Sequence, residues 1–272
     1  MKYISNTIYP ISAIAIVLLF CKSKNSEVNT LISDTNQLYI SKKPIEKDQQ
    51  QSIDTLDYVQ GKFDPKGHPL FTLIPAEYAS REGMYLRKET MNAFKQMAEA
   101  GKKAGLKFKI ISATRNFESQ KKIWEDKWNG NTLVEDGKNL AKLNWPDDKR
   151  ALKILEYSSM PSTSRHHWGT DMDINALDNN YFKKGEGKKW YDWMLAHAAE
   201  FGFCQPYTSG RPTGYKEERW HWTYIPVSKP LTEYCRINLK AANINGFEGA
   251  QVADKIKVVE NYVLGINRAC KE

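Results

Sequence analysis

The hydrophobic period of the chain changes at Gly105, and that change limits the fold class. Met91, Phe94, Met97 and Ala98 recur at helical spacing, and Lys102-Lys103 followed by Gly105 reads as a helix stop. Directly afterwards Leu106, Phe108 and Ile110 alternate with Lys107 and Lys109, the period of a half-buried strand. Phe117 to Trp128 reads as helix again. Trp190, Trp193, Met194, His197, Ala198 and Phe201 form an amphipathic helix closed by Gly202, and residues 220–225 read as a strand. Val252, Ile256, Val259, Val263 and Ile266 are spaced as a C-terminal helix that packs on the domain. Residues 129–160 show no single period and read as a flap or a pair of short helices. Strands are few, they are interspersed with helices, and no βαβ rhythm repeats. The expected class is therefore α+β, a small antiparallel sheet flanked by helices.

The N-terminal segment has a different character. After Met1-Lys2, residues 11–20 make an apolar run that ends at Cys21. A run of about 10 residues is too short to span a bilayer and suits the core of a signal peptide. Cys21 followed by polar residues resembles a bacterial lipoprotein signal, in which the cysteine becomes the lipidated first residue; Phe20 departs from the small residue usual before it. The expected organisation is a signal peptide at 1–20, a polar tether at 21–60, a catalytic domain at 61–235 and a helical extension at 236–272. Such a chain is exported, to the periplasm or to a membrane-anchored state through lipid on Cys21. Export puts Cys204, Cys235 and Cys270 in an oxidising compartment, where one disulfide is expected. Spacing alone does not choose the pair, and the absence of a Cys-x-x-Cys spacing speaks against a cysteine-based zinc site.

Composition narrows the rest. A chain of 272 residues, 41% apolar and 12% aromatic, has material for one catalytic domain with a proper core. Eight tryptophans and fourteen tyrosines exclude a mostly disordered chain. The net charge of +8 favours anionic surroundings. No basic cluster is interleaved with aromatics, so the charge reads as a solvated surface, without a nucleic-acid partner and on a monomer.

With five histidines in the chain, each can be weighed. His68, in Gly67-His68-Pro69, reads as loop; His197 lies on the apolar stripe of its helix; His167 reads as a neighbour of a site. His166, Asp173 and His221 remain. Two imidazoles and a carboxylate, with a fourth position left to water, are the make-up of a catalytic zinc site. Gly169 lets the chain turn between His166 and Asp173, so that a loop supplies the histidine and a strand the aspartate. Glu218, three residues before His221, is placed to accept a proton from an attacking water. Strict strand alternation would put 218 and 221 on opposite faces, so the chain must bend there.

Ser164-x-His166-x-x-Gly169-x-x-x-Asp173, followed by Glu218-x-Trp220-His221, resembles the D-alanyl-D-alanine carboxypeptidases of the VanY type and the related vancomycin-resistance D,D-dipeptidases. Ser112-Ala113-Thr114-Arg115-Asn116-Phe117-Glu118-Ser119-Gln120 resembles a third motif of that family, also just after a strand. The resemblance covers roughly residues 61–235. It implies one Zn2+ per chain on His166, Asp173 and His221, with the small sheet carrying the site, and Glu218 as general base and then acid. It also implies Arg115 as holder of the substrate and of the oxyanion, Ser164 near the substrate's terminal carboxylate, and Gln120 supporting Arg115 or the substrate. Asp171 departs from the pattern, standing where the family usually has alanine; it would orient His167 or a ligand, or alter metal affinity. Thr114 departs as well, replacing the tyrosine common before Arg115.

The implied activity is removal of the terminal D-alanine of peptidoglycan stem peptides. The same residues also suit an L-alanyl-D-glutamate endopeptidase, and a non-catalytic peptidoglycan-binding lipoprotein is the alternative from another class. Glu218 and Arg115 speak against the last, since a binding protein needs no proton acceptor beside its metal.

Overall fold

The computed structural model describes residues 55–271; the expected signal peptide, Cys21 and the tether up to residue 54 lie outside the described residues. In chain order the elements are α1 (Thr55–Val59), β1 (Phe71–Leu73), β2 (Tyr85–Arg87), α2 (Lys88–Lys103), β3 (Ile110–Ser112), α3 (Phe117–Trp128), α4 (Asp147–Ile154), β4 (Asp171–Ile174), α5 (Gly185–His197), β5 (Phe203–Cys204), β6 (His221–Tyr224) and α6 (Ile225–Asn238). Strands β1 and β2 pair antiparallel, and a second antiparallel sheet has the order β3-β4-β6-β5. The architecture is α+β, as the periodicity implies.

The central strand β4 explains how the sheet is used. Its residues alternate in direction, so Met172 and Ile174 face one side and Asp171 and Asp173 the other, and all four are buried. On the apolar side, Met172 and Ile174 join Trp222, Met91, Phe94, Met97, Trp190 and Met194 in a core filled from α2 and α5. Burying a side chain such as Phe94, which is 0% exposed, contributes roughly 1.5–3 kcal/mol. A second core lies around Trp124, Trp128, Ile154, Trp168, Tyr215 and Cys235. The polar side of β4 is thus closed in by protein, and its carboxylates must find partners there.

Several sequence expectations meet a different local structure. The alternation from Leu106 enters the ladder only at Ile110, because Asn175 takes a left-handed φ of 68° and ends β4. Lys109 bonds to that turn instead, its N–H to Asn175 Oδ1 at 2.8 Å and its carbonyl to Asn175 N–H at 2.7 Å. Helix α6 has no counterpart in the sequence reading, because Pro226 and Pro230 interrupt its pattern. Pro226 sits in the first turn, where a missing N–H costs nothing. The stretch 129–160 contains α4 and a short 3-10 turn, Leu140–Lys142.

Both ends of the domain also differ from expectation. Tyr58 and Val59 of α1 are buried in the second core, so folded structure begins before Gly61. The expected C-terminal helix is a chain of short turns, Ala250–Val252, Val259–Val263 and Arg268–Cys270, with Lys257 at a φ of 50° breaking any continuous helix. Val252, Ile256, Val259, Val263 and Ile266 are nonetheless all buried, so residues 236–271 complete the core rather than append to it. A disulfide joins Cys204 to Cys270, and Cys235 is buried and free. Among the described residues no helix is long and apolar enough to cross a membrane.

Candidate active site

His166 sits in a 3-10 turn, Arg165–Trp168, that ends at Gly169. Gly169 has a φ of 71°, and a Cβ there would lie 2.4 Å from the Phe71 ring, so this position requires glycine on two counts. The turn delivers the chain into β4, where Asp173 pairs in register with His221 of β6 and with Ser112 of β3. Glu218 lies in the turn before β6, its bend closed by a hydrogen bond from His221 N–H to the Glu218 carbonyl at 3.3 Å. That bend is what brings residues 218 and 221 to one side despite strand alternation.

His166, Asp173 and His221 are buried, and one potential ligand atom from each lies within 4.8 Å of the others. His166 Nε2 is 3.4 Å from Asp173 Oδ2, and His221 Nδ1 is 3.1 Å from Asp173 Oδ1. Asp173 Oδ1 is buried without a hydrogen-bond partner despite its closeness to His221. The far side of each ring is engaged: His166 Nδ1 bonds the Ala113 carbonyl at 2.9 Å, and His221 Nε2 bonds Asp171 Oδ1 at 2.9 Å. An unpartnered carboxylate oxygen and two inward-facing imidazole nitrogens are a donor set that fits a zinc ion. Burial and the neighbouring Arg115 hold His166 below its ordinary pKa, which favours the neutral, ligating ring. Burial alone would raise the Asp173 carboxyl, but the two histidines beside it hold it well below the usual carboxylate range.

Glu218, 5% exposed, places Oε2 3.4 Å from His221 Nδ1. Burial pushes its carboxyl above the usual range, with His221 acting the other way, so it binds a proton more readily than a solvated glutamate. Arg115 is half-buried; its Nη1 donates to Ser112 Oγ at 2.8 Å, which ties the guanidinium to β3, and its backbone N–H donates to the His166 carbonyl at 3.2 Å, which ties its main chain to the His166 turn. All five of these residues line one cavity of about 730 Å³.

Gln120 also lines that cavity; its Nε2 donates to the Ser159 carbonyl at 2.8 Å and its Oε1 has no partner. Ser164 is fully buried with an unpartnered Oγ and is not among the lining residues. His167 is a neighbour of the site, with Nδ1 2.7 Å from the Arg115 carbonyl. His68 is buried in its loop among Tyr58, Phe63 and Phe71. His197 is half-exposed and pairs with Glu200 at 2.9 Å, and so does not lie in the apolar interior.

The sequence reading missed part of the cavity wall, Tyr157, Ser158, Ser159, Tyr207 and Tyr215 among it. Tyr207 packs its ring 4.5 Å from that of His221, and Tyr215 packs 4.9 Å from Tyr207. No spacing signal marks them, since segments far apart in the chain bring them together.

Residues 83–227, more than half of the chain, match the VanY family model, described as D-alanyl-D-alanine carboxypeptidase. The chain is 26% identical over 149 residues to the Bacillus subtilis (strain 168) protein named "Putative carboxypeptidase YodJ", a match covering 52% of this chain and 46% of that protein. The chain thus spans a little under half the length of that relative. Among solved structures it resembles the LdcB LD-carboxypeptidase, with 22% identity, a TM-score of 0.46 and coverage of 76% of this chain and 81% of that one. It also resembles VanYB in complex with D-alanine-D-alanine, with 24% identity, a TM-score of 0.42 and coverage of 61% and 94%. The matched span runs from just before β2 through β6, taking in all three motifs, and the chain belongs to the VanY family.

Proposed function

We propose that this protein is a zinc-dependent D-alanyl-D-alanine carboxypeptidase of the bacterial cell envelope, removing the terminal D-alanine of peptidoglycan stem peptides. The observation that carries the reading is the convergence of His166, Asp173 and His221 on the wall of a cavity that also holds a buried Glu218 and the Arg115 guanidinium. The cavity falls within the size range of ligand pockets, about 300–1,000 Å³. A zinc ion held by those three residues supplies an activated water and polarises the scissile carbonyl.

The remaining work belongs to the chain's own groups. Glu218 takes the proton from the attacking water and passes it to the amine of the departing D-alanine, a transfer suited to a carboxyl whose burial raises its proton affinity. Arg115 donates to the developing oxyanion, which a permanently charged, forked donor does well. Gln120, on the cavity wall, braces the substrate or Arg115, whereas Ser164, expected near the substrate's carboxylate, is fully buried off that wall and makes no substrate contact in this reading. Tyr207 and Tyr215 exclude water on one side. In this reading the protein acts as a monomer without nucleic acid, and residues 1–21 export it and attach it by lipid on Cys21.

The test is digestion of a defined stem pentapeptide by the zinc-loaded full chain, with products read by mass. Loss of one alanine from the D-alanyl-D-alanine end is the expected result. Cleavage between L-alanine and D-glutamate, or of a tetrapeptide in preference to the pentapeptide, overturns the substrate, and an intact peptide overturns the activity.

A further inference from the structure

Asp171 stands on the same face of β4 as Asp173 and is fully buried, with Arg165, 1% exposed, beside it. Both carboxylate oxygens of Asp171 are saturated. Oδ1 accepts from Arg165 Nε at 2.9 Å and meets His221 Nε2 at 2.9 Å; Oδ2 accepts from Thr170 Oγ1 at 2.6 Å and Thr223 Oγ1 at 2.8 Å. Each nitrogen of the Arg165 guanidinium is engaged in turn: besides Nε, Nη1 donates to Thr232 Oγ1 at 2.8 Å and Nη2 to Thr223 Oγ1 at 2.9 Å, and the group lies 4.5 Å from the Trp168 ring centre. Thr232 passes its own hydrogen to the Ser228 carbonyl at 2.8 Å, so the network joins the His166 turn, β4, β6 and α6.

A carboxylate that already holds an arginine accepts hydrogens and donates none. His221 therefore donates its Nε2 hydrogen to Asp171 and presents Nδ1 toward Asp173 and Glu218, the atom left to bind a metal. His166 has the opposite arrangement, with Nδ1 toward the Ala113 carbonyl and Nε2 facing Asp173. A ligand imidazole whose other nitrogen is bonded to a carboxylate is fixed in orientation and made a better donor. Arg165 keeps that carboxylate charged inside the protein, where an unpaired charge would be costly.

We infer that Asp171 and Arg165 are positioning residues for the metal centre: the buried pair fixes the tautomer and direction of His221 and so sets the affinity of the site for zinc. The inference rests on the zinc-site reading above but not on the identity of the substrate.

The test uses the full chain and does not depend on activity. Nitrogen-15 NMR of the zinc-loaded chain should show His221 protonated on Nε2 and bound through Nδ1; a His221 that lacks the Nε2 hydrogen overturns the inference. Zinc affinity, measured by chelator competition, should fall about 10–100-fold in Asp171→Ala. Asp171→Asn, which still offers His221 an oxygen, should recover part of that loss. Since one unpaired partner risks misfolding, the decisive variant is the double change Arg165→Met with Asp171→Ala, which removes both charges. It should melt near the wild type and yet bind zinc as weakly as Asp171→Ala. Wild-type zinc affinity in a folded double variant would show the pair to be structural only. If the wild type binds zinc and these shifts appear but no stem peptide is cut, the substrate reading fails and the positioning role stands.

Discussion

Asp173 on β4 faces His221 on β6 across a register pair, with 3.1 Å between Asp173 Oδ1 and His221 Nδ1 and no hydrogen bond joining them. An imidazole nitrogen and a carboxylate oxygen held this close in a buried place are spaced to share a cation, and this relationship underlies the account of the site.

Arg115 offers a test of oxyanion stabilisation apart from metal binding. Arg115→Lys keeps the charge and loses the fork, and we expect kcat to fall about 10²–10³-fold with zinc content unchanged. Steady-state kinetics with metal analysis decides; a rise in KM alone at wild-type kcat would confine Arg115 to substrate binding.

The disulfide closes a 66-residue separation between Cys204 and Cys270 and pins the C-terminal turns that complete the second core. On the chain-entropy view a loop of that length contributes about 4 kcal/mol. Urea unfolding of Cys270→Ser should show a loss of that order. An unchanged midpoint would mean that packing of Val259, Val263 and Ile266 alone holds the segment.

Tyr58 anchors α1 against the site turn, donating to the Trp168 carbonyl at 2.6 Å and accepting from Arg87 Nη1 at 3.2 Å. Burial, partly offset by Arg87, pushes its hydroxyl up to about 12. The unfolded chain releases this proton near pH 10, so the contribution is intact below about pH 10 and is lost as pH rises through about 12. The shift corresponds to about 2–3 kcal/mol. Wild-type stability should therefore fall more steeply over that interval than that of Tyr58→Phe, and parallel profiles would remove Tyr58 as the cause.

How much of this was legible in the sequence depends on the range of the interactions. Helix α3 falls on Phe117–Trp128 as the pattern implies, because its apolar spacing and its Asn116 cap, which accepts from Ser119 N–H at 2.9 Å, are local. The site residues His166, Asp173, His221 and Glu218 were visible as types at fixed spacing. Helix α6 was not, because its two prolines hide a pattern that tertiary packing supports. Asp171 was noticed as a departure, but its partner could be named only once β6 lay beside β4 and brought His221 Nε2 to it. Tyr207 and Tyr215 escaped notice because an aromatic wall carries no spacing rule.

The most direct test of the central claim is a zinc titration of the metal-stripped full chain, with D-alanine release from a stem pentapeptide followed beside it. Activity should return in proportion to zinc up to one equivalent, while Glu218→Gln should bind the same equivalent and release D-alanine about 10²–10⁴-fold more slowly. Release that persists in the stripped protein, or a Glu218→Gln variant as fast as wild type, would contradict the account.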